Sequence, residues 1–139
     1  MAFSNYLLSA LCKQVFGSTA FTPPATIYVG LSTSIPNADG TNVTEPSGNG
    51  YARVAVVNDT SHFHSAPSQP ATGQRQSNVS SITFPQATGG GWGTATYAVL
   101  YDAASGGNFL GFGQLALPQA INAGDTFTLN PDALTETMQ

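Results

Sequence analysis

The stretch 92–117, WGTATYAVLYDAASGGNFLGFGQLAL, limits the folds open to this chain more than any other. Apolar and polar positions interleave over residues 93–101 and again over 108–117, and between them stand Asp102, Ala103, Ala104, Ser105, Gly106 and Gly107. Two such runs around a Gly-Gly turn predict a β-hairpin, with Asp102 and Ser105 bonding nearby backbone. Alternation puts Tyr97, Val99 and Tyr101 on one face of the first strand and Thr94, Thr96 and Ala98 on the other. In the second, Leu110 and Phe112 share a face with Gln114, while Gly111 and Gly113 leave the opposite face nearly bare. Glycines inside a strand mark a bulge or the close approach of another backbone.

Weaker strand patterns flank this hairpin. Residues 26–33 alternate Ile27, Val29 and Leu31 against Tyr28, Gly30 and Ser32, which predicts a strand with one buried face. Residues 51–58, YARVAVVN, are apolar on both faces apart from Arg53, the pattern of a central strand or of one covered by a helix. Arg53 then needs a partner inside the chain, a subunit contact, or an exposed sheet edge. Shorter strands follow at 79–84, stopped by Pro85, at 126–129, and at 134–138; Pro118 is expected to end the second hairpin strand. Before all of these, Ser4 can cap a helix from Asn5 whose Leu7, Leu8, Leu11, Val15 and Phe16 recur at three and four spacing, with Gly17 closing it. The helix is expected to pack on the β body or on a neighbouring subunit, with Cys12 buried in its apolar pattern.

The fold expected is therefore mainly β: an antiparallel β-sandwich or jelly-roll-like barrel with one short N-terminal helix. A chain of 139 residues suits a single domain, 1–139, with a helical segment at 1–17 and a β body at 25–138. Two polar stretches, 34–50 and 59–77, lack periodicity and are read as long exposed loops, which in compact domains are usually functional. In the first, Asn37, Asp39 and Asn42 surround Gly40; the terminal carboxylate of a calcium loop is missing, so a plain turn is expected. The second carries His62, Phe63 and His64. Two imidazoles, even with Asp59 as a third group, do not complete a metal site, and no metal or other cofactor is expected.

Charge excludes several partners. Three cations against seven acids give a net charge of -4. Lys13, Arg53 and Arg75 are too few and scattered to grip phosphates, so neither nucleic acid nor anionic membrane is expected as a partner. The opening residues lack a basic leader and a cleavage site, and the apolar run is too short to span a bilayer. The Asn-x-Ser/Thr matches at Asn42, Asn58 and Asn78 then follow from composition. No nucleophile elbow, phosphate loop or zinc-protease motif is present, and Asp102 and Asp125 stand in turn contexts, so no catalytic residue is assigned. Trp92, Tyr97 and Tyr101 are materials for a sugar platform, but their alternation with the sheet period fits a core better.

As a whole the chain resembles the small structural proteins of tailed phages known as phage tail fibre proteins. The resemblance is carried by AFSNYLLSALCKQVFG before ATIYVGLST, by EPSGNGYARVAV, by ITFPQATGGGWGTATYAVLYDAASGGNFLGFGQL, and by INAGDTFTLNPDALTETM. It implies a non-enzymatic virion component made in the host cytoplasm. Since the chain lacks the repeats of a long fibre, the reading taken from it is a capsid cement or decoration protein on the capsid surface, binding the major coat protein or neighbouring virion proteins and associating as a dimer or trimer. Its alternative is a tail fibre or tail-tip module that binds a host receptor or glycan, and a tail-tube or baseplate subunit is a third. The residues expected to touch partners are Leu7, Leu11 and Phe16 on the helix, Asp39, Arg53, His62, Phe63, His64 and Trp92.

Overall fold

The computed structural model describes residues 2–64 and 74–138. The elements are β1 (Ala2–Phe3), α1 (Asn5–Phe16), β2 (Thr26–Ser32), β3 (Val54–Val57), β4 (Gln74–Ser77), β5 (Ile82–Gln86), β6 (Gly93–Tyr101), β7 (Phe109–Ile121), β8 (Thr126–Leu129) and β9 (Thr135–Met138). Five strands form an antiparallel sheet in the order β1-β7-β6-β2-β3, and two strand pairs, β4-β9 and β5-β8, form smaller sheets. Of the two architectures expected, the pairings give the sandwich, with the short helix at its start.

The hairpin β6–β7 is the spine of the large sheet, as its sequence predicts. Gly106 and Gly107 take positive φ in its turn. Gly111 is where another backbone comes close: β1 pairs there, and a Cβ on Gly111 would lie 2.7 Å from the Ala2 carbonyl oxygen. The strand does not stop at Pro118. It runs on to Ile121, because Ala95 pairs with Gln119 while Tyr97 pairs with Gln114, so several β7 residues bulge opposite Thr96 and Pro118 has no ladder bond to supply. Pro85 is likewise carried inside β5, in the gap between the pairings of Thr83 and Gln86. That strand starts at Ile82 instead of Val79.

Three further expectations are corrected. The apolar strand at 51–58 shortens to β3 and lies at the sheet edge, with Ala55 and Val57 exposed and only Val56 buried. The helix packs along β7 and not over β3. Cys12 is exposed. Part of the loop expected at 59–77 is strand β4, paired with β9, and residues 65–73 of that loop lie outside the described residues.

The main core lies between the large sheet and the β5-β8 pair. Val29, Leu31, Val56, Ala98 and Ile121 meet Ile82, Phe84 and Leu129 there, with Trp92 among them. Phe84 sets its ring edge to Trp92 and tilts against Phe127, and Tyr51 meets Trp92 edge to face at 5.2 Å. Burying a side chain of this size stabilises the fold by about 2–3 kcal/mol. A smaller cluster on the other face of the sheet holds Val99, Tyr101 and Phe109, with Tyr28, Val43 and Phe112 against it. The predicted grouping of Val99 with Tyr101 on one face therefore stands.

Candidate functional site

Arg53 precedes β3, and its side chain is 8% exposed. Its guanidinium donates from Nη2 to Glu45 Oε2 at 2.6 Å and from Nε to Glu45 Oε1 at 3.0 Å. Nη1 donates to the carbonyls of Ala103 at 2.8 Å and Gly106 at 2.9 Å, both in the β6–β7 turn. The guanidinium face covers the Tyr101 ring. Of the three environments open to Arg53, the chain therefore supplies a partner inside itself. Burial works against the charge, but the hydrogen bond and charge of Glu45 outweigh it and hold the Arg53 pKa above its ordinary value.

Glu45 is fixed from the other side. Tyr51 donates its hydroxyl to Glu45 Oε1 at 2.8 Å and accepts the Leu31 N–H at 2.9 Å. The carboxylate and phenol lie against the sheet at Gly30, where a Cβ would sit 2.6 Å from Glu45 Oε1. The turn itself is closed by Asp102, whose two carboxylate oxygens accept the Asn108 N–H and side-chain amide. Strand β2, the 33–53 segment and the hairpin turn thus meet in one hydrogen-bonded cluster. A cluster that leaves its donors and acceptors paired in this way rigidifies what it holds.

The helix start and Asp39 join the same end of the molecule. Ser4 accepts the Leu7 N–H and donates to the Phe109 carbonyl, while the Asn5 N–H donates to Ala38. Asp39 takes both the N–H and the hydroxyl of Thr41, which hold its carboxyl below the ordinary range, so its role is that of the expected plain turn. Along α1, Leu7 and Leu11 are half-buried; Leu8, Val15 and Phe16 are exposed, Phe16 by 88%.

The remaining expected contacts lie elsewhere. His62 pairs with Asp59 at 2.7 Å, and His64 with Asp132 in the β8–β9 turn at 3.0 Å. Phe63 bridges to Asn78 and packs on the core. Among the described residues no three His, Cys, Asp or Glu side chains gather as metal ligands. Trp92 is 5% exposed and donates its indole N–H to the Asn49 carbonyl, so it is a core residue; Tyr101 lies under Arg53.

Sequence reasoning missed Glu45, Tyr51 and Asn78. Asn78 is fully buried: its amide donates to the carbonyls of Ser80 and Asn130 and accepts the Leu134 N–H. Glu45 had a signal, since a cation inside an apolar strand demands an acid and the chain has only seven. No local pattern marks Asn78, two of whose three partners, Asn130 and Leu134, lie some fifty residues away.

A helix-capped antiparallel sandwich with its polar groups spent on turns and cross-links is built as a structural module. The chain belongs to the family described as Podophage GP4 fiber I protein gp80, whose family model matches residues 2–137. No curated protein matches the chain. The family is one of phage fibre-type structural proteins, which favours the tail fibre alternative over the capsid cement reading.

Proposed function

We propose that this chain is a non-enzymatic building block of a tail fibre on a tailed-phage particle, and that it helps the particle engage its host. The observation that carries the reading is the fibre-family match over residues 2–137. The geometry supports it. The Glu45–Arg53 cluster braces the turn between β6 and β7 against the 33–53 segment, which suits a module that presents surface loops rigidly. The exposed stripe of α1, with Leu8, Val15 and Phe16, suits assembly with neighbouring fibre chains or further copies of this one. The described acids and histidines serve turns and pairs: Asp39, Asp102 and Asp125 close turns, while Asp59 and Asp132 pair with His62 and His64.

Electron microscopy of virions labelled with antibody against the chain tests the proposal. Label on tail appendages is the expected result. Label spread over the capsid shell would restore the cement reading in its place.

A further inference from the structure

A cleft of about 430 Å³ opens beside the hairpin turn, where four separate parts of the chain meet. Tyr6 comes from α1, Phe21, Thr22, Thr26 and Tyr28 from the stretch that returns from the helix into β2, Asp102 from the turn and Leu110 from β7. The volume lies within the range of small-ligand sites.

Three features define what the cleft can take. Among the described residues its three aromatic rings stack on no other ring, unlike the paired rings of the core; Tyr28 packs in part on the Val99–Tyr101–Phe109 cluster, while Phe21 is half-buried and Tyr6 is exposed. The hydroxyls of Tyr6, Thr22, Thr26 and Tyr28 make no hydrogen bond within the described residues. Each can both donate and accept. Asp102 is half-buried and held in place by Asn108 through both oxygens, yet a carboxylate has about four acceptor sites, so it keeps capacity for incoming hydroxyls.

We propose that this cleft binds a neutral saccharide. Aromatic faces match the C–H face of a pyranose, and a carboxylate beside hydroxyls matches its ring of donors and acceptors. The charge pattern selects against anionic sugars and phosphates: Asp102 is the one charged group lining the cleft among the described residues, Lys13 borders a neighbouring hollow, and Arg53 is engaged with Glu45. The Arg53 bonds to Ala103 and Gly106 fix the turn that carries Asp102, so the site is organised before ligand arrives. The inference deepens the fibre reading by giving host engagement a ligand class and a place.

The test is an NMR titration of the full chain, using the methyl glycosides of glucose, galactose, mannose, rhamnose and N-acetylglucosamine, with methyl glucuronide as the charged control. Amide shifts confined to Tyr6, residues 21–28 and Asp102 are expected with at least one neutral sugar, and weaker or none with the glucuronide. Replacing Tyr6 with alanine should weaken binding by about threefold to tenfold, the loss of one aromatic face. Tyr6 is exposed, so the fold should survive, and retained amide dispersion checks this. Absence of cleft shifts with every neutral sugar, equal shifts with the glucuronide, or unchanged binding in Tyr6→Ala would each overturn the proposal. Antibody labelling decides the fibre reading separately, so a chain found on the fibre that binds no sugar overturns this inference alone.

Discussion

The guanidinium carbon of Arg53 lies 3.5 Å from the centroid of the Tyr101 ring, while the edge of the same group is bound by Glu45 and by two carbonyls of the hairpin turn. One side chain therefore uses its face, its edge and its charge together, which only arginine can do. Replacing Arg53 with leucine strands the Glu45 carboxylate and should cost about 3 kcal/mol in urea unfolding. Lysine keeps the charge but loses the fork and the stacked face, for a loss of about 1–2 kcal/mol. The double variant R53L/E45Q should recover part of the leucine loss. A cost below about 1 kcal/mol for Arg53→Leu would mean that the cluster does not brace the turn.

Gly30 is predicted to tolerate no side chain. A Cβ there would stand 2.6 Å from Glu45 Oε1, 2.9 Å from the Tyr51 hydroxyl and 3.1 Å from Val99, and the first two are held by hydrogen bonds. Gly30→Ala should destabilise the protein by about 1–3 kcal/mol through overpacking, against the usual gain from removing a strand glycine. Thermal unfolding of this single variant decides between the two signs.

Asn78 ties the segment between β4 and β5 to the turn between β8 and β9. Its substitution by alanine leaves buried carbonyls and an N–H without their partner and should cost about 3 kcal/mol. Asn78→Asp keeps the shape, loses the two amide donations to Ser80 and Asn130, and buries a charge. It should be at least as harmful at neutral pH and less so in acid, where the carboxyl is protonated. Unfolding curves for both variants at two pH values test this, and equal behaviour at both pH values would count against it.

Stability should decline at both extremes of pH, for separate reasons. Burial first, and then the neighbouring Glu45 charge, raise the Tyr51 pKa above its ordinary 10.0, and burial raises that of Tyr101. Their contribution is fully present below that value and fades as pH rises past it, because the unfolded chain ionises first. Tyr51→Phe should soften this alkaline limb. In acid, Asp132 is held below its ordinary 3.8 by the Ser77 hydroxyl and then His64, and Asp59 chiefly by His62. Their contribution is complete above that value and is lost as the pH falls below it, so Ser77→Ala should flatten the acid limb. A pH series of melting temperatures on the three proteins checks both limbs.

What could be read ahead of the structure follows from the range of the interactions involved. The capped helix and the hairpin are set by neighbours a few residues apart, and both were legible. Strand ends at Pro85 and Pro118 were not, because a bulge in the proline's own strand takes it out of the ladder it could not join, and bulges leave no local mark. The apolar pattern of β3 suggested a central strand, whereas sheet order placed it at an edge, and periodicity carries no information about order. Arg53 stood out as a misplaced charge, while its partners Glu45, Ala103 and Gly106 come from two other segments. The cleft beside Asp102 is harder still, since four separate parts of the chain contribute to it.

The number of copies of this chain per virion, measured by quantitative mass spectrometry against the major coat protein, tests the central claim most directly. A fibre component predicts a few to a few tens of copies, far below the coat protein. A count in the hundreds, comparable to the coat protein, would contradict the fibre account and return the chain to the capsid surface.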